Sequence, residues 1–167
     1  MIGKISKHFT YQELIKSNPE IIKRLGIDNT PTAEHLVNLT ILATELLDHI
    51  RELAGGPLAI TSGYRSKAYN DAIPNSSPNS QHMTGNAADI DCDVYGYCSN
   101  DRLFWLIRNF LEYDQIIWEF GDDIKPDWIH ISYVKGKNRR LVTRAIRENN
   151  KVKYIPYDRT GQSNQNT

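Results

Sequence analysis

The sequence predicts an α+β domain, with a central antiparallel sheet and with helices that come mainly from the N-terminal half of the chain. Apolar residues recur at helical intervals in the first third, whereas short strand-like runs bounded by turn residues follow later. Helices that precede strands in this way are typical of α+β folds. No internal repeat or second domain is visible, so we predict one domain over residues 1–157 and a flexible polar tail over residues 158–167.

Three segments of the first third have helix signals. Thr10 and Glu13 have the spacing of a capping box, which predicts that a short helix starts there and continues through Leu14 and Ile15. Residues 21–25 predict a second short helix. The longest helix begins at residues 29–32 and ends at the Gly-Gly-Pro of residues 55–57. Its periodic apolar residues are Leu36, Leu39, Leu42, Ala43, Leu46, Leu47, Ile50 and Leu53.

The strand signals follow the long helix and are interrupted by one further helix over residues 101–111. Residues 67–81, which are rich in Asn, Ser and Pro, predict a loop after a brief helical start. Residues 121–126 contain Gly and Pro and predict a hairpin between the third and fourth strands. The predicted strands are 58–61, 87–91, 115–120, 128–134, 141–146 and 152–155.

The charge balance excludes some classes of partner. The chain carries 20 basic and 20 acidic residues, so its formal net charge is zero. A neutral chain offers no broad field to a nucleic acid or an anionic membrane, and no apolar run approaches the roughly 18 residues of a membrane span. We therefore expect no nucleic-acid partner, no membrane partner and a monomer.

Two cysteines, Cys92 and Cys98, are separated by five residues, a spacing that does not match the usual zinc-binding pairs. We expect reduced thiols because no secretion signal is visible, with a loop disulfide as the alternative.

Three residues in two short segments form a ligand set for a divalent metal. His82 and Asp89 lie in one segment among small residues such as Gly85 and Ala87, and His130 lies in a predicted strand. Zinc held by three protein ligands keeps its fourth position for water or substrate, as in a catalytic site. Non-haem iron oxygenases also use two histidines and a carboxylate. Their carboxylate usually follows the first histidine by two residues in an all-β fold, so the sequence disfavours iron.

These segments resemble a known family. Residues 80–89 read Ser-Gln-His-Met-Thr-Gly-Asn-Ala-Ala-Asp and residues 128–130 read Trp-Ile-His. Both are similar to motifs of the zinc D-alanyl-D-alanine peptidases, which include bacterial carboxypeptidases, dipeptidases and phage endolysins and are related to the hedgehog signalling domain. The Ser-Gly-Tyr-Arg-Ser of residues 62–66 and the His-Phe-Thr of residues 8–10 resemble the carboxypeptidase-type branch. The resemblance extends over about residues 8–145.

The resemblance implies Zn2+ bound by His82, Asp89 and His130, a hedgehog-like or DD-peptidase-like fold, and peptidoglycan stem peptides as substrate. The expected activity is zinc-dependent hydrolysis of peptide bonds that contain D-amino acids, by a carboxypeptidase or an endopeptidase such as an endolysin. The alternative is a non-catalytic, zinc-stabilised module that binds the cell wall or belongs to a virion. Residues 1–11 contain no apolar leader, so we expect either a cytoplasmic protein released onto the cell wall or a trimmed form of an exported one.

Zinc-dependent hydrolysis also needs a carboxylate that handles the proton of the attacking water. Asp127 stands three residues before His130, which matches the spacing in many members of the family. Glu119 ends the preceding predicted strand, which resembles the hedgehog-related pattern. If the hairpin pairs Glu119 with Trp128, Glu119 shares the face of His130 whereas Asp127 faces away. We favour Glu119 as the general base and keep Asp127 as the alternative.

Four other residues are candidates for supporting roles. By resemblance, Arg65 stabilises the oxyanion or holds a substrate carboxylate; the alternative is a surface salt bridge. Ser80 resembles the family serine that hydrogen-bonds substrate, although it could instead cap the turn before the first histidine. We expect Trp128 to form part of the wall of the substrate cleft or to lie in the core. Asp91 alternates with Asp89 along a strand, and we expect it to support the metal ligands from behind.

Overall fold

The computed structural model describes residues 3–149 and 151–157, and the predicted tail lies outside these residues. The α-helices are α1 (Tyr11–Leu14), α2 (Pro19–Leu25), α3 (Ala33–Leu42), α4 (Asp48–Ala54), α5 (Lys67–Ala72) and α6 (Asn100–Phe110). The strands are β1 (Ala59–Ser62), β2 (Ala87–Asp91), β3 (Gln115–Glu119), β4 (Trp128–Ser132), β5 (Leu141–Glu148) and β6 (Lys151–Pro156). The predicted α+β class and all six predicted strands are therefore confirmed.

The long N-terminal helix is continuous but changes its winding. Thr32 caps α3 by accepting a hydrogen bond from the backbone N–H of His35 at 3.2 Å. The π-helical segment Ala43–Leu47 joins α3 to α4, and Gly55 ends the helix with a left-handed φ of 81°. The helix buries one apolar face against the sheet. That face consists of Leu39, Leu42, Ala43, Leu46, Leu47 and Ile50.

The six strands form one sheet in the order β1-β2-β4-β3-β5-β6. All neighbouring strands are antiparallel except β3 and β5, which are parallel, so the sheet is mixed and not purely antiparallel as predicted. The reason is that the chain reverses direction after β4 and then lies beside β3. A strand antiparallel to β4 is necessarily parallel to β3, because β3 and β4 are themselves antiparallel.

The two faces of the sheet have different roles. One face packs against the helices through buried side chains such as Ile90, Ile129, Ile131 and Trp118, which belong to a single core cluster. The opposite face lines a cavity of about 930 Å³, which contains Asp89, Glu119 and His130. Within the described residues, no helix is long and apolar enough to cross a bilayer.

The cysteines lie on the core side, near the end of β2. Cys92 and Cys98 are both buried free thiols in the structure. Burial raises the pKa of the Cys92 thiol, and the neighbouring Cys98 raises it further, so neither chemistry nor a metal is indicated there.

Candidate metal centre

Three buried side chains converge on the cavity face of the sheet. Asp89 of β2 and His130 of β4 are direct partners across the antiparallel ladder, so their side chains lie on the same face. His82 comes from the 3-10 turn Gln81–Thr84, which Gly85 ends with a left-handed φ of 74°. A Cβ on Gly85 would lie 2.4 Å from the carbonyl oxygen of His35, so this close approach of the turn to α3 requires glycine.

The distances among the three ligand atoms fit a tetrahedral metal. His82 Nε2 lies 3.2 Å from Asp89 Oδ1 and 3.2 Å from His130 Nδ1, and the last two atoms are 2.9 Å apart. Two ligands held tetrahedrally at zinc–nitrogen and zinc–oxygen bond lengths are separated by roughly 3.3 Å. The cluster therefore has both the composition and the spacing of a three-ligand metal site.

The tautomer of His82 also fits this role. Its Nδ1 lies 2.7 Å from the carbonyl oxygen of Gly63 and must donate a hydrogen there, so the neutral ring keeps its Nε2 lone pair for the cluster. Burial lowers the pKa of His82 despite the neighbouring Asp89, which favours the neutral imidazole that metals bind. Gly63 is close enough to α1 that a Cβ would lie 2.0 Å from the Leu14 carbonyl oxygen.

Arg65 holds the second oxygen of the carboxylate ligand. Its NH2 donates to Asp89 Oδ2 at 2.8 Å, and its Nε donates to Ser62 Oγ at 2.8 Å. This largely buried ion pair leaves Asp89 Oδ1 for the cluster, and it is not the surface salt bridge considered above. Burial opposes ionisation of Asp89, but the two histidines outweigh it and hold the pKa of this carboxyl far below its usual range. The role of Arg65 toward substrate stays a prediction.

The two candidates for the general base are placed differently. Glu119 pairs with Trp128 in the β3–β4 ladder, and its buried carboxyl lines the cavity on the face of His130. Asp127 is exposed and does not line the cavity; its backbone N–H donates to the Glu119 carbonyl oxygen at 2.9 Å. The geometry therefore favours Glu119, and Asp127 is the weaker choice.

Burial raises the pKa of Glu119 to about 7, with the Asp89 charge adding to the rise and nearby cations opposing it. Between about pH 4.5 and 7, the Glu119 carboxyl is therefore protonated in the folded, metal-free protein but ionised in the unfolded chain. Stability contributed by the protonated carboxyl is present below this window and is lost as the pH rises through it.

We predict that the free energy of unfolding of metal-free Glu119→Gln, measured relative to that of wild type, is about 2 to 3 kcal/mol more favourable to the variant at pH 8 than at pH 4. The reason is that wild type loses the stability of its protonated carboxyl over this range whereas the amide does not titrate. The measurement is the free energy of unfolding in urea at both pH values, with the exposed Glu148→Gln as control. A stability difference for Glu119→Gln that does not change with pH would contradict the prediction.

The other expected supporting residues have mixed outcomes. Ser80 lines the cavity, and its Oγ accepts a hydrogen bond from the His82 backbone N–H at 3.4 Å, which makes it the cap of that turn. Trp128 also lines the cavity, with its ring 5.3 Å from that of Phe120. Asp91 was expected to support the metal ligands, but it does not line the cavity, and its Oδ1 accepts hydrogen bonds from Asn100 Nδ2 and the Asp93 backbone N–H, each at 3.0 Å.

Sequence reasoning missed several charged or polar residues of the cavity, among them Asp114, Lys137, Arg139, Arg147 and Tyr154. Asp114 is buried and accepts hydrogen bonds from Arg139 and, at 2.9 Å, from Gln81 Nε2, so it fixes the residue before His82. No local sequence signal links these residues, because they meet only once β5 lies beside β3.

A comparison with known families finds a match that covers the cluster. Residues 7–132, about three quarters of the chain, match a family model described as peptidase M15. The matched range contains all three candidate ligand residues, Arg65 and Glu119. Among curated proteins, the sequence has no significant match. The chain therefore belongs to the peptidase M15 family of zinc-dependent metallopeptidases.

Proposed function

We propose that this protein is a zinc peptidase that hydrolyses D-amino-acid-containing peptide bonds in peptidoglycan stem peptides. The single observation that carries the proposal is the convergence of His82, Asp89 and His130 on one point at the floor of a cavity that also contains Glu119. The resemblance of residues 62–66 and 80–89 to D-alanyl-D-alanine peptidases supports the choice of substrate. The protein would act on the cell wall, either as an endolysin or after export.

In this proposal His82 Nε2, Asp89 Oδ1 and His130 Nδ1 hold the zinc ion. When bound, zinc supplies a Lewis acid that polarises the scissile carbonyl and makes a water molecule a nucleophile near neutral pH. Gly63 and Arg65 keep two of the ligands oriented through the hydrogen bonds to His82 Nδ1 and Asp89 Oδ2.

Glu119 would move the proton. Its carboxylate accepts a proton from the attacking water and returns it to the nitrogen of the leaving amine. A pKa of about 7 in the metal-free protein indicates that this carboxyl both accepts and releases a proton without a large free-energy cost near neutrality. Nearby cations, including a bound metal ion, would shift this pKa downward and keep the base ionised at pH 7.

Three cavity residues would position the substrate. The guanidinium of Arg65 is held by its NH2 contact with Asp89 Oδ2 and its Nε contact with Ser62 Oγ, and its side chain borders the cavity beside the ligand cluster. It would place positive charge beside the developing oxyanion. Ser80 and Trp128 lie on the cavity wall, where they would contact the peptide backbone and an apolar side chain.

The test is digestion of purified peptidoglycan with the zinc-loaded protein, followed by mass spectrometry of the products. We expect cleavage that stops on chelation and returns when zinc is added. Loss of one terminal residue identifies a carboxypeptidase, and release of larger fragments identifies an endopeptidase. Intact peptidoglycan after incubation with protein of full zinc content would reject the proposal and favour the non-catalytic cell-wall module.

A further inference from the structure

The β5–β6 hairpin forms one wall of the cavity, and it lies beyond residue 132, where the family match ends. Its cavity-facing residues alternate along both strands, as the period of a strand requires. They are Leu141, Thr143, Arg147, Val152 and Tyr154. The match to the family therefore does not cover this wall.

One row of paired residues brings the hairpin to the reaction centre. Glu119 pairs with Ala145 of β5, and Ala145 pairs with Tyr154 of β6, so all three side chains lie on one face. Since the side chain of Ala145 is only a methyl group, no large side chain of this row lies between the Tyr154 ring and the Glu119 carboxyl. Partial burial and the negative charges of Glu119 and Asp89 raise the pKa of Tyr154 to about 12, so its hydroxyl stays a hydrogen-bond donor.

Arg147 places a positive charge next to this row. Its guanidinium carbon lies 3.8 Å from the centre of the Phe120 ring, and the Phe120 ring packs against Trp128. This stacking fixes the guanidinium plane but leaves its N–H groups available, as in other cation–π contacts. The charge is close enough to Glu119 to lower the pKa of that carboxyl.

The cavity contains three arginines, and two of them are committed to buried acids. Arg65 binds Asp89, and Arg139 binds Asp114 with its Nε and NH2. Within residues 3–149 and 151–157, Arg147 forms no salt bridge, although its charge is felt by Glu119. A guanidinium that is held in place beside a cleft but not neutralised is suited to bind a carboxylate of a ligand.

Building on the proposed peptidase function, we propose that Arg147 and Tyr154 form a subsite for a free carboxylate of the substrate, beside the scissile bond. The guanidinium donates two parallel hydrogen bonds and the tyrosine hydroxyl donates a third. The substrate class is thus a peptide with an unmodified carboxylate near the cleavage point. Glu119 and Asp89 alone would repel such a carboxylate, and Arg147 offsets this repulsion. An amidated peptide carries no charge for Arg147 to bind, so the arginine favours the free acid over the amide.

The first test measures binding without catalysis. Zinc-loaded protein labelled with nitrogen-15 is titrated with N-acetyl-D-alanine and with N-acetyl-D-alaninamide, and the Arg147 Nε–H and Trp128 indole signals are followed by NMR. We expect the acid to bind at least about tenfold more tightly than the amide, which is the effect of one charge-assisted hydrogen-bonded pair. In Arg147→Met, followed through Trp128, this preference should disappear.

The matched control is Lys153→Met, which removes a positive charge from the opposite face of the same hairpin, where Lys153 contacts Glu148. It should bind both probes as wild type does, and Arg147→Lys should regain part of the preference. Equal binding of acid and amide by wild type would overturn the proposal. So would an acid preference that persists in Arg147→Met, because the carboxylate would then bind at the metal or at Lys137, which also lines the cavity.

The second test separates the subsite from the proposed function. Stem peptides with free carboxylates and the same peptides after carbodiimide amidation are compared as substrates. We expect the ratio of kcat/KM for the two to exceed about ten in wild type and to approach one in Arg147→Met. If wild type cleaves neither peptide while the acid probe still binds at Arg147, the peptidase proposal fails and the subsite stands. If both peptides are cleaved at equal rates, the subsite fails and the peptidase proposal stands.

Discussion

Glu119→Gln should lower kcat for stem-peptide hydrolysis by about 10³-fold while the protein keeps its full zinc content, since a positioned general base contributes roughly 10² to 10⁴. The amide has nearly the size of the carboxylate and fits the same buried position on β3, but it cannot accept a proton from the attacking water. Substrate binding should change little, so the loss should fall on kcat and not on KM. Kinetics on a purified stem peptide, with zinc measured in the same samples, gives both quantities.

Asp127→Asn is the decisive comparison, because it removes the other candidate carboxylate. It should keep activity within about threefold of wild type, because Asp127 is exposed and lies outside the cavity lining. The wild-type rate should also rise with pH and level off at or below pH 7, since the base works only when ionised and its pKa is about 7 without metal. A full rate in Glu119→Gln combined with a large loss in Asp127→Asn would exchange the roles of the two residues.

The preference for Glu119 illustrates what sequence alone can predict. The period of two along a strand and a short hairpin suffice to place Glu119 opposite Trp128 and on the face of His130, and the structure has this pairing. The convergence of His82 with Asp89 depends on the tight turn ended by Gly85, whose glycine is visible in the sequence. These features were predictable because each is fixed by residues that are close together in the chain.

The partners of Arg65 and the position of the last hairpin were not predictable in this way. Arg65 could reach either solvent or substrate, and only the pairing of β1 with β2 brings it to Asp89 Oδ2. The β5–β6 hairpin was predicted, but not that β5 lies parallel to β3. Arg147 therefore had no assigned face, because a strand's face is defined only by the neighbour against which it is placed.

His82→Ala should remove zinc binding and hydrolysis together. Wild type should bind zinc with a stoichiometry of one, and its melting temperature should rise as zinc is added, because a ligand at about 100 times its Kd stabilises the folded state by about 2.7 kcal/mol. Loss of a residue that merely orients a ligand costs roughly 10- to 100-fold in metal affinity, so the loss of a ligand itself should cost at least about 100-fold. Metal analysis after dialysis and thermal melts with and without zinc measure the two effects.

The control for this prediction is His49→Ala, which removes an exposed histidine of α4 that contacts Glu52 and lies outside the cluster. It should bind zinc as wild type does and keep the zinc-dependent rise in melting temperature. In metal-free samples, His82→Ala should still unfold cooperatively, because the core on the other face of the sheet is unchanged and only the Gly63 and cluster contacts of the ring are lost. In the wild type, His82 Nε2 lies 3.2 Å from both Asp89 Oδ1 and His130 Nδ1, so the three atoms form one site that needs the imidazole. Full zinc content in the folded His82→Ala variant would therefore mean that the ion binds elsewhere. A mechanism based on His82, Asp89 and His130 would then have to be abandoned.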